Sequence, residues 1–180
     1  AVQLNPVIDP TVQAMGVCYH RGRFFLHLNR EFFTQRENRR FFKGVLLHEI
    51  HHIIFGHVTD PRFRKVTDRD SMILAMEMTA NEFIHEDLPG EPVLWNRYRK
   101  FGIRPKQSTW ERYRLLKKAR ENGDLLDLAV TLDDHLPLGV ASTEVEDICA
   151  NAAIQEIIRK AILKVKSDKR NKGRTGFLAG

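Results

Sequence analysis

The sequence predicts an α+β fold that is predominantly helical, with an N-terminal β-hairpin packed near one central helix. Three observations support this prediction. The β-prone apolar runs are confined to the N-terminal part, helix-capping patterns recur along the rest of the chain, and 180 residues with 42% hydrophobic content can bury a core without disulfides. We expect one domain over residues 1–166 and a basic, flexible tail over residues 167–180.

The hairpin is predicted from two short apolar runs close to the N-terminus. Residues Met15–Tyr19 and Phe24–Leu28 are rich in β-prone side chains, and the sequence between them contains Gly22. Glycine tolerates the positive φ angles that tight hairpin turns require. This is the only strand pair that the sequence predicts.

The central helix is predicted from patterns at its two ends. Thr34-Gln35-Arg36-Glu37 has the spacing of a capping box, so a helix should begin at Thr34 and continue to about Phe55. Gly56 then stands where a left-handed residue ends many helices. Residues 57–67 contain Pro61 and show no regular period, which is typical of a connecting loop.

Further helices are expected downstream. One should begin near Asp68 or Ser71 and continue through Phe83, before Leu88-Pro89-Gly90 stops it. Capping boxes predict two more helix starts, at Ser108–Glu111 and at Thr143–Glu146, and Asn122-Gly123 should end the first of these two helices.

Composition and charge exclude several classes of protein for this chain. The two cysteines, Cys18 and Cys149, lie far apart, so neither a disulfide framework nor a thiolate zinc site is indicated. No signal-like segment and no apolar run of about 20 residues occurs, which favours a cytoplasmic protein with no membrane contact. The net charge is +6, and basic residues concentrate between Lys164 and Arg174. A solvated terminus is the commoner explanation of such a run, with nucleic-acid binding as the weaker alternative.

The helix predicted to end near Phe55 carries a pattern suited to binding a metal. His48 and His52 are four residues apart, so their side chains lie one above the other on a helix and can converge on one ion. Neutral imidazole is a standard zinc ligand. Glu49, next to His48, would take a proton from the attacking water without having to bind the ion itself.

A catalytic zinc site needs a third protein ligand, and the sequence offers several candidates. Glu77 is preferred, because a carboxylate in the apolar stretch around it is costly to bury unless it meets a cation. Asn81, one turn later, would support a ligand. His57 is the alternative ligand, since the break at Gly56 could redirect it, and His51 is expected to lie outside the ligand set or at the surface.

These residues also resemble two families of metallopeptidases. His48 to His52, followed by His57 and by Glu77-Met78-Thr79-Ala80-Asn81-Glu82-Phe83, is similar to the HExxHxxxH and ExxAN-x-F pattern of the ImmA/IrrE metallopeptidases, although four residues and not three separate His52 from His57. A longer resemblance is to the metallopeptidase domain found before von Willebrand A-like domains in bacterial proteins. It covers Leu28-Asn29, the HExxH helix with Gly56-His57, Ala75–Asn81, Ser108–Leu116 and Asp133-Asp134-His135.

The resemblance implies a zincin-like fold, a bound Zn²⁺ and a gluzincin-like peptidase of bacterial or phage origin. It also implies a protein or peptide substrate and a von Willebrand A-like or ATPase partner protein. The domain found before von Willebrand A-like domains usually has Asp where Glu77 stands. Glu77 keeps the carboxylate as ligand type and reaches farther by one methylene. The resemblance further suggests that His135 approaches the site, although an acidic loop before Pro137 explains these residues equally well.

The sequence therefore predicts a zinc-dependent metallohydrolase, most simply an endopeptidase. His48, His52 and Glu77 would bind the zinc, and Glu49 would act as general base. Two alternatives remain open: a catalytically silent binding or regulatory module stabilised by a metal, and a DNA-associated protease that uses its basic tail.

Overall fold

A computed structural model describes residues 3–125, 152–161 and 163. This part of the chain has an α+β fold, as predicted, in which helices contribute more residues than strands. The strands are β1 (Leu4–Ile8), β2 (Met15–His20) and β3 (Arg23–Leu28), and the helices are α1 (Arg30–Thr34), α2 (Phe42–Ile54), α3 (Arg69–Asn81) and α4 (Thr109–Glu121). Short 3-10 helices cover Arg39–Phe41, Pro61–Arg64 and Trp95–Phe101, and residues 152–161 are helical.

The predicted hairpin is confirmed. Strands β2 and β3 pair antiparallel, with His20 opposite Arg23 at the closed end. Arg21 and Gly22 form the turn, with φ angles of 47° and 78°. Two consecutive positive φ angles match the right-handed twist of the flanking strands, which is why a glycine is needed here.

The sheet has a third strand that the sequence analysis missed. Strand β1 pairs parallel with β3, so the order across the sheet is β1-β3-β2. Pro6 lies inside β1, and a proline argues against a strand because it has no N–H to donate to a ladder. The proline is tolerated because β1 occupies an edge of the sheet.

The predicted start of the central helix is wrong. Thr34 is the last residue of α1, and its hydroxyl donates to the carbonyl of Glu31 (2.8 Å) instead of capping a new helix. Asn29 caps α1 by accepting from the amide of Phe32, and α2 begins only at Phe42. The four-residue capping pattern misled because Thr34 itself belongs to the preceding helix, whereas an N-cap residue needs a non-helical backbone.

The predicted end of the same helix is correct. Gly56 has a φ of 72°, the amide of Gly56 donates to Ile53, and the amide of His57 donates to His52. These two hydrogen bonds form a Schellman motif, which provides donors for carbonyl groups of the last helical turn that would otherwise have no hydrogen bond. The turn also directs His57 back toward the helix that it follows.

The next two helices begin where the sequence predicted. The carboxylate of Asp68 accepts from the amide of Ser71 at the start of α3, and α3 ends at Asn81, two residues before Phe83. Ser108 and Glu111 form both bonds of a capping box at the start of α4, and Gly123, with a φ of 76°, follows its end. The helix predicted at residues 143–146 lies outside the described residues.

Helix α3 contributes to one of two apolar clusters of the described residues. Its side chains are buried from Leu74 to Asn81 without interruption, so no face of this part of the helix is left to solvent. One cluster joins α3 to α4 and the 3-10 helices, and the other lies between the sheet and α2. Within the described part of the chain, no helix combines the length and the apolar character needed to cross a bilayer.

Gly44 allows a loop to approach α2 closely, and its replacement tests this packing. A Cβ atom at position 44 would lie 2.2 Å from the backbone carbonyl oxygen of Asp87. Gly44→Ala should therefore lower the free energy of unfolding by about 2 kcal/mol or more in urea titrations, because backbone atoms must move. An unhindered helical Gly→Ala change should instead stabilise by about 0.5–1 kcal/mol, so a gain in stability would contradict the close approach.

Candidate metal centre

Three buried side chains from two helices converge on one point. His48 and His52 come from α2 and Glu77 from α3, with 4%, 3% and 3% of their surfaces exposed. The Nε2 atoms of the two histidines are 2.9 Å apart, and Glu77 Oε1 lies 3.6 Å from His48 Nε2 and 3.3 Å from His52 Nε2. One candidate ligand atom from each residue lies within 4.8 Å of the others.

The donor set fits a zinc ion. Two imidazole nitrogens and one carboxylate oxygen are the ligands of many catalytic zinc sites, in which one position stays open for water or substrate. A buried carboxylate beside two imidazoles also needs positive charge nearby, and a divalent cation would provide it. The structure thus places the three residues that the sequence predicted as ligands next to one another, and their binding of zinc stays a prediction.

Asn81 orients the first histidine. His48 Nδ1 lies 2.7 Å from Asn81 Oδ1, and the amide nitrogen of Asn81 donates to the carbonyl of Val93 at 3.2 Å. The second bond assigns the amide oxygen of Asn81 to His48, so His48 Nδ1 carries the proton. His48 Nε2 is then the unprotonated nitrogen, which is the form that binds a metal. The supporting role predicted for Asn81 agrees with this arrangement.

His57 lies behind the second histidine and outside the three-residue group. His57 Nδ1 is 3.0 Å from His52 Nδ1, and His57 Nε2 is 2.9 Å from the hydroxyl oxygen of Thr109. With His52 Nε2 directed at a metal, the proton on His52 Nδ1 is donated to His57, and His57 Nε2–H is donated to Thr109. The structure thus favours a supporting role for His57 over the alternative role of ligand.

Thr109 was missed by the sequence analysis. It is the first residue of α4 and is separated from His57 by 52 positions, so no local pattern links the two. Helix α4 is held against α3 by Arg112, which is fully buried, forms an ion pair with Glu82 and donates to the hydroxyl of Thr79 at 3.3 Å. Because losing one partner of a buried ion pair is strongly unfavourable, this contact keeps Thr109 in reach of His57.

Glu49 lies on α2 but is not part of the ligand group. Its side chain is 4% exposed, and Oε2 accepts a hydrogen bond from the backbone amide of Val17 at 2.8 Å. Val17 belongs to β2, an edge strand of the sheet that pairs with β3 on one side only. The bond ties the predicted general base to a strand and limits the directions in which its carboxylate can point.

His51 serves the packing of α2 on α3. Its Nδ1 donates to the carbonyl of Ala80 at 2.7 Å, and its ring contacts Phe55 and Phe83. This agrees with the expectation that His51 stays outside the ligand set. The bond also reaches the residue next to Asn81, so it helps to position the group that orients His48.

A small, partly open cavity of about 30 Å³ adjoins the three-residue group. His48, Glu77 and Asn81 form its polar wall. The remaining wall is apolar and consists of Ala14, Val45, Leu88, Pro89, Pro92 and Val93. This volume has room for about one or two water-sized groups beside the candidate metal centre.

Other predicted site residues cannot be compared with the structure. His135, its neighbours Asp133 and Asp134, and the basic tail over residues 167–180 lie outside the described residues. Comparisons with protein-family models, with curated proteins and with solved structures find no match to this chain. The zincin-like fold and the family resemblance stay predictions.

Proposed function

We propose that the protein is a zinc-dependent metallohydrolase that cleaves peptide bonds. The observation that carries this proposal is the convergence of His48 Nε2, His52 Nε2 and a Glu77 carboxylate oxygen in a buried site. When bound, zinc would supply Lewis acidity, which lowers the pKa of a water molecule and polarises a carbonyl group. The protein's own side chains carry out the proton transfers and orient the ligands.

Each side chain has a definite role in this proposal. His48, His52 and Glu77 would hold the ion, while Asn81 and His57 fix the histidine rings through their Nδ1 atoms. Glu49 takes a proton from the attacking water and later delivers one to the leaving amine. The hydrogen bond from Val17 to Oε2 fixes the orientation of the Glu49 carboxylate.

The pattern on α2 supports a peptide as substrate. Two histidines four residues apart, with a glutamate after the first, are the arrangement that metalloproteases use to bind zinc and to activate water. A protein or peptide is therefore the proposed substrate class. Von Willebrand A-like or ATPase partners, suggested by the sequence resemblance, have no counterpart among these observations.

A second candidate function is a binding module in which the metal only stabilises the fold. The contact between Glu49 and Val17 favours it, because a carboxylate that accepts from a buried amide can serve as a link between α2 and β2. In that case Glu49 contributes to stability and no turnover occurs. The two candidates make different predictions for the same purified protein.

Metal content and cleavage of an unfolded substrate test the proposal directly. Purified protein should contain close to one zinc per chain by mass spectrometry and should degrade unfolded casein. A chelator should abolish the cleavage, and added zinc should restore it. Protein that takes up no zinc even from an excess would exclude both candidates, whereas zinc-loaded protein without cleavage of any unfolded substrate would favour the binding module.

A further inference from the structure

A second group of reactive side chains lies on the sheet, separate from the candidate metal centre. Cys18 is on β2, His27 is on β3, and Asp9 directly follows β1. Cys18 Sγ is 3.5 Å from His27 Nε2, and His27 Nδ1 is 2.8 Å from Asp9 Oδ2. The three side chains form a row of a nucleophile, a base and a carboxylate that orients the base. Many enzymes activate a nucleophile with this arrangement.

The register of the strands brings the three residues to one face. Met15, Val17 and Tyr19 of β2 are buried on the core side, so Cys18 points to the opposite side. His27 is opposite Gly16 in the ladder, and Gly16 has no side chain to separate the imidazole from Cys18. The contact therefore follows from the sheet pairing itself.

Asp9 sets the state of the histidine. Hydrogen bonds from the hydroxyl and the amide of Thr11 and from His27 lower the pKa of Asp9 to about 2, so the carboxylate is ionised at neutral pH. An ionised carboxylate accepts a hydrogen bond from His27 Nδ1–H, which leaves the lone pair of Nε2 facing the sulfur. Burial raises the pKa of Cys18, so the thiol rests protonated and needs a base to react.

The three side chains remain within reach of small molecules. His27 and Asp9 have side chains that are 20% and 19% exposed, and Cys18 is half-buried. A thiol with these neighbours differs from an inert core cysteine in having both a base in contact and a route to solvent.

We propose that Cys18 is a nucleophilic thiol that undergoes exchange with low-molecular-weight disulfides. His27 Nε2 takes the thiol proton, and the sulfur of Cys18 attacks one sulfur of the disulfide. A new S–S bond to Cys18 forms as the original S–S bond breaks, and the departing thiolate takes the proton from His27. Cys18 is oxidised to a mixed disulfide and one thiol is released, so atoms and electrons balance. The exchange is independent of the proposed zinc chemistry.

The rate of reaction with 5,5′-dithiobis(2-nitrobenzoic acid) tests this proposal. The full chain with Cys149→Ser leaves Cys18 as the single thiol, since the sequence has two cysteines. At one fixed pH near neutrality, Cys18 should react faster than glutathione. His27→Gln should lower its second-order rate constant by about tenfold or more, because the base is lost.

Matched variants keep the result interpretable. His20→Gln changes a histidine on the same face of β2 and should alter the rate by less than about twofold. Asp9→Asn should also lower the rate constant. If circular dichroism shows that His27→Gln does not fold, the rate constant of Asp9→Asn is the test of the proposal. A Cys18 thiol slower than glutathione, or a rate that the folded variant at His27 or Asp9 leaves unchanged, would overturn the proposal.

Discussion

Glu49→Gln is expected to lower kcat/KM for peptide cleavage by about 10²–10⁴-fold while the protein keeps its zinc, because a general base contributes rate enhancement of that size. Glutamine has nearly the shape of glutamate, and its amide oxygen can still accept the hydrogen bond from Val17 that the carboxylate accepts in the structure. The fold and the metal ligands are thus left unchanged, and only the ability to accept a proton is removed. Steady-state cleavage and zinc content, measured on the same preparation, check this result.

Two further variants separate the roles of Glu49. Glu49→Ala removes both the proton acceptor and the bond to Val17, so it should lose activity and also melt at a lower temperature than Glu49→Gln. Glu37→Gln makes the same chemical change at an exposed position and should leave both quantities unaltered. Full activity in Glu49→Gln would remove Glu49 from catalysis and leave it as a link between α2 and β2.

Glu77→Met is expected to lower zinc affinity by at least about a hundredfold. The free energy of zinc binding at sites with four protein ligands is about 10–16 kcal/mol, so one ligand contributes about 3 kcal/mol. A loss of this size corresponds to roughly a hundredfold weaker affinity. Methionine is similar in length, and it replaces a carboxylate that is 3% exposed. Zinc affinity is measured by competition with a chromophoric chelator.

The same variant should have opposite effects on the two forms of the protein. Without zinc, Glu77→Met should melt at or above the temperature of the wild type, because a buried charge is replaced by an apolar group. With zinc, the wild type should gain more stability from the bound ion than the variant does. Asp70→Ala, which removes a 59% exposed carboxylate from the same helix, should leave zinc affinity unchanged. Wild-type affinity in Glu77→Met would exclude Glu77 as a ligand.

Local patterns predicted several parts of this protein correctly. The hairpin turn at Gly22, the end of α2 at Gly56 and the capping box at Ser108 each depend on the backbone preferences of a few consecutive residues. The prediction that His48 and His52 face the same side also depends on local geometry, because a helix brings residues four apart to one side. Glu77 was predicted by a different argument, namely the cost of burying a carboxylate.

The failures share one cause, which is that a short pattern ignores the residues around it. The capping pattern at Thr34 is formally complete, yet Thr34 already belongs to α1, which Asn29 caps, and α2 starts later. Strand β1 contains a proline and becomes a strand only because β3 offers it an edge to pair with. In both cases the decisive partner lies outside the window of residues that the pattern considers.

The sequence by itself determined which residues of α2 and α3 can bind a metal, because ligand type and helical spacing are properties of the local chain. Only the tertiary structure decided how that site is supported: His57 bonds to Thr109 across 52 positions, and Glu49 bonds to Val17 across 32. The same holds for Cys18, His27 and Asp9, which meet only through the pairing of three strands. Long-range contacts depend on how whole elements pack and pair, and no short stretch of sequence contains that information.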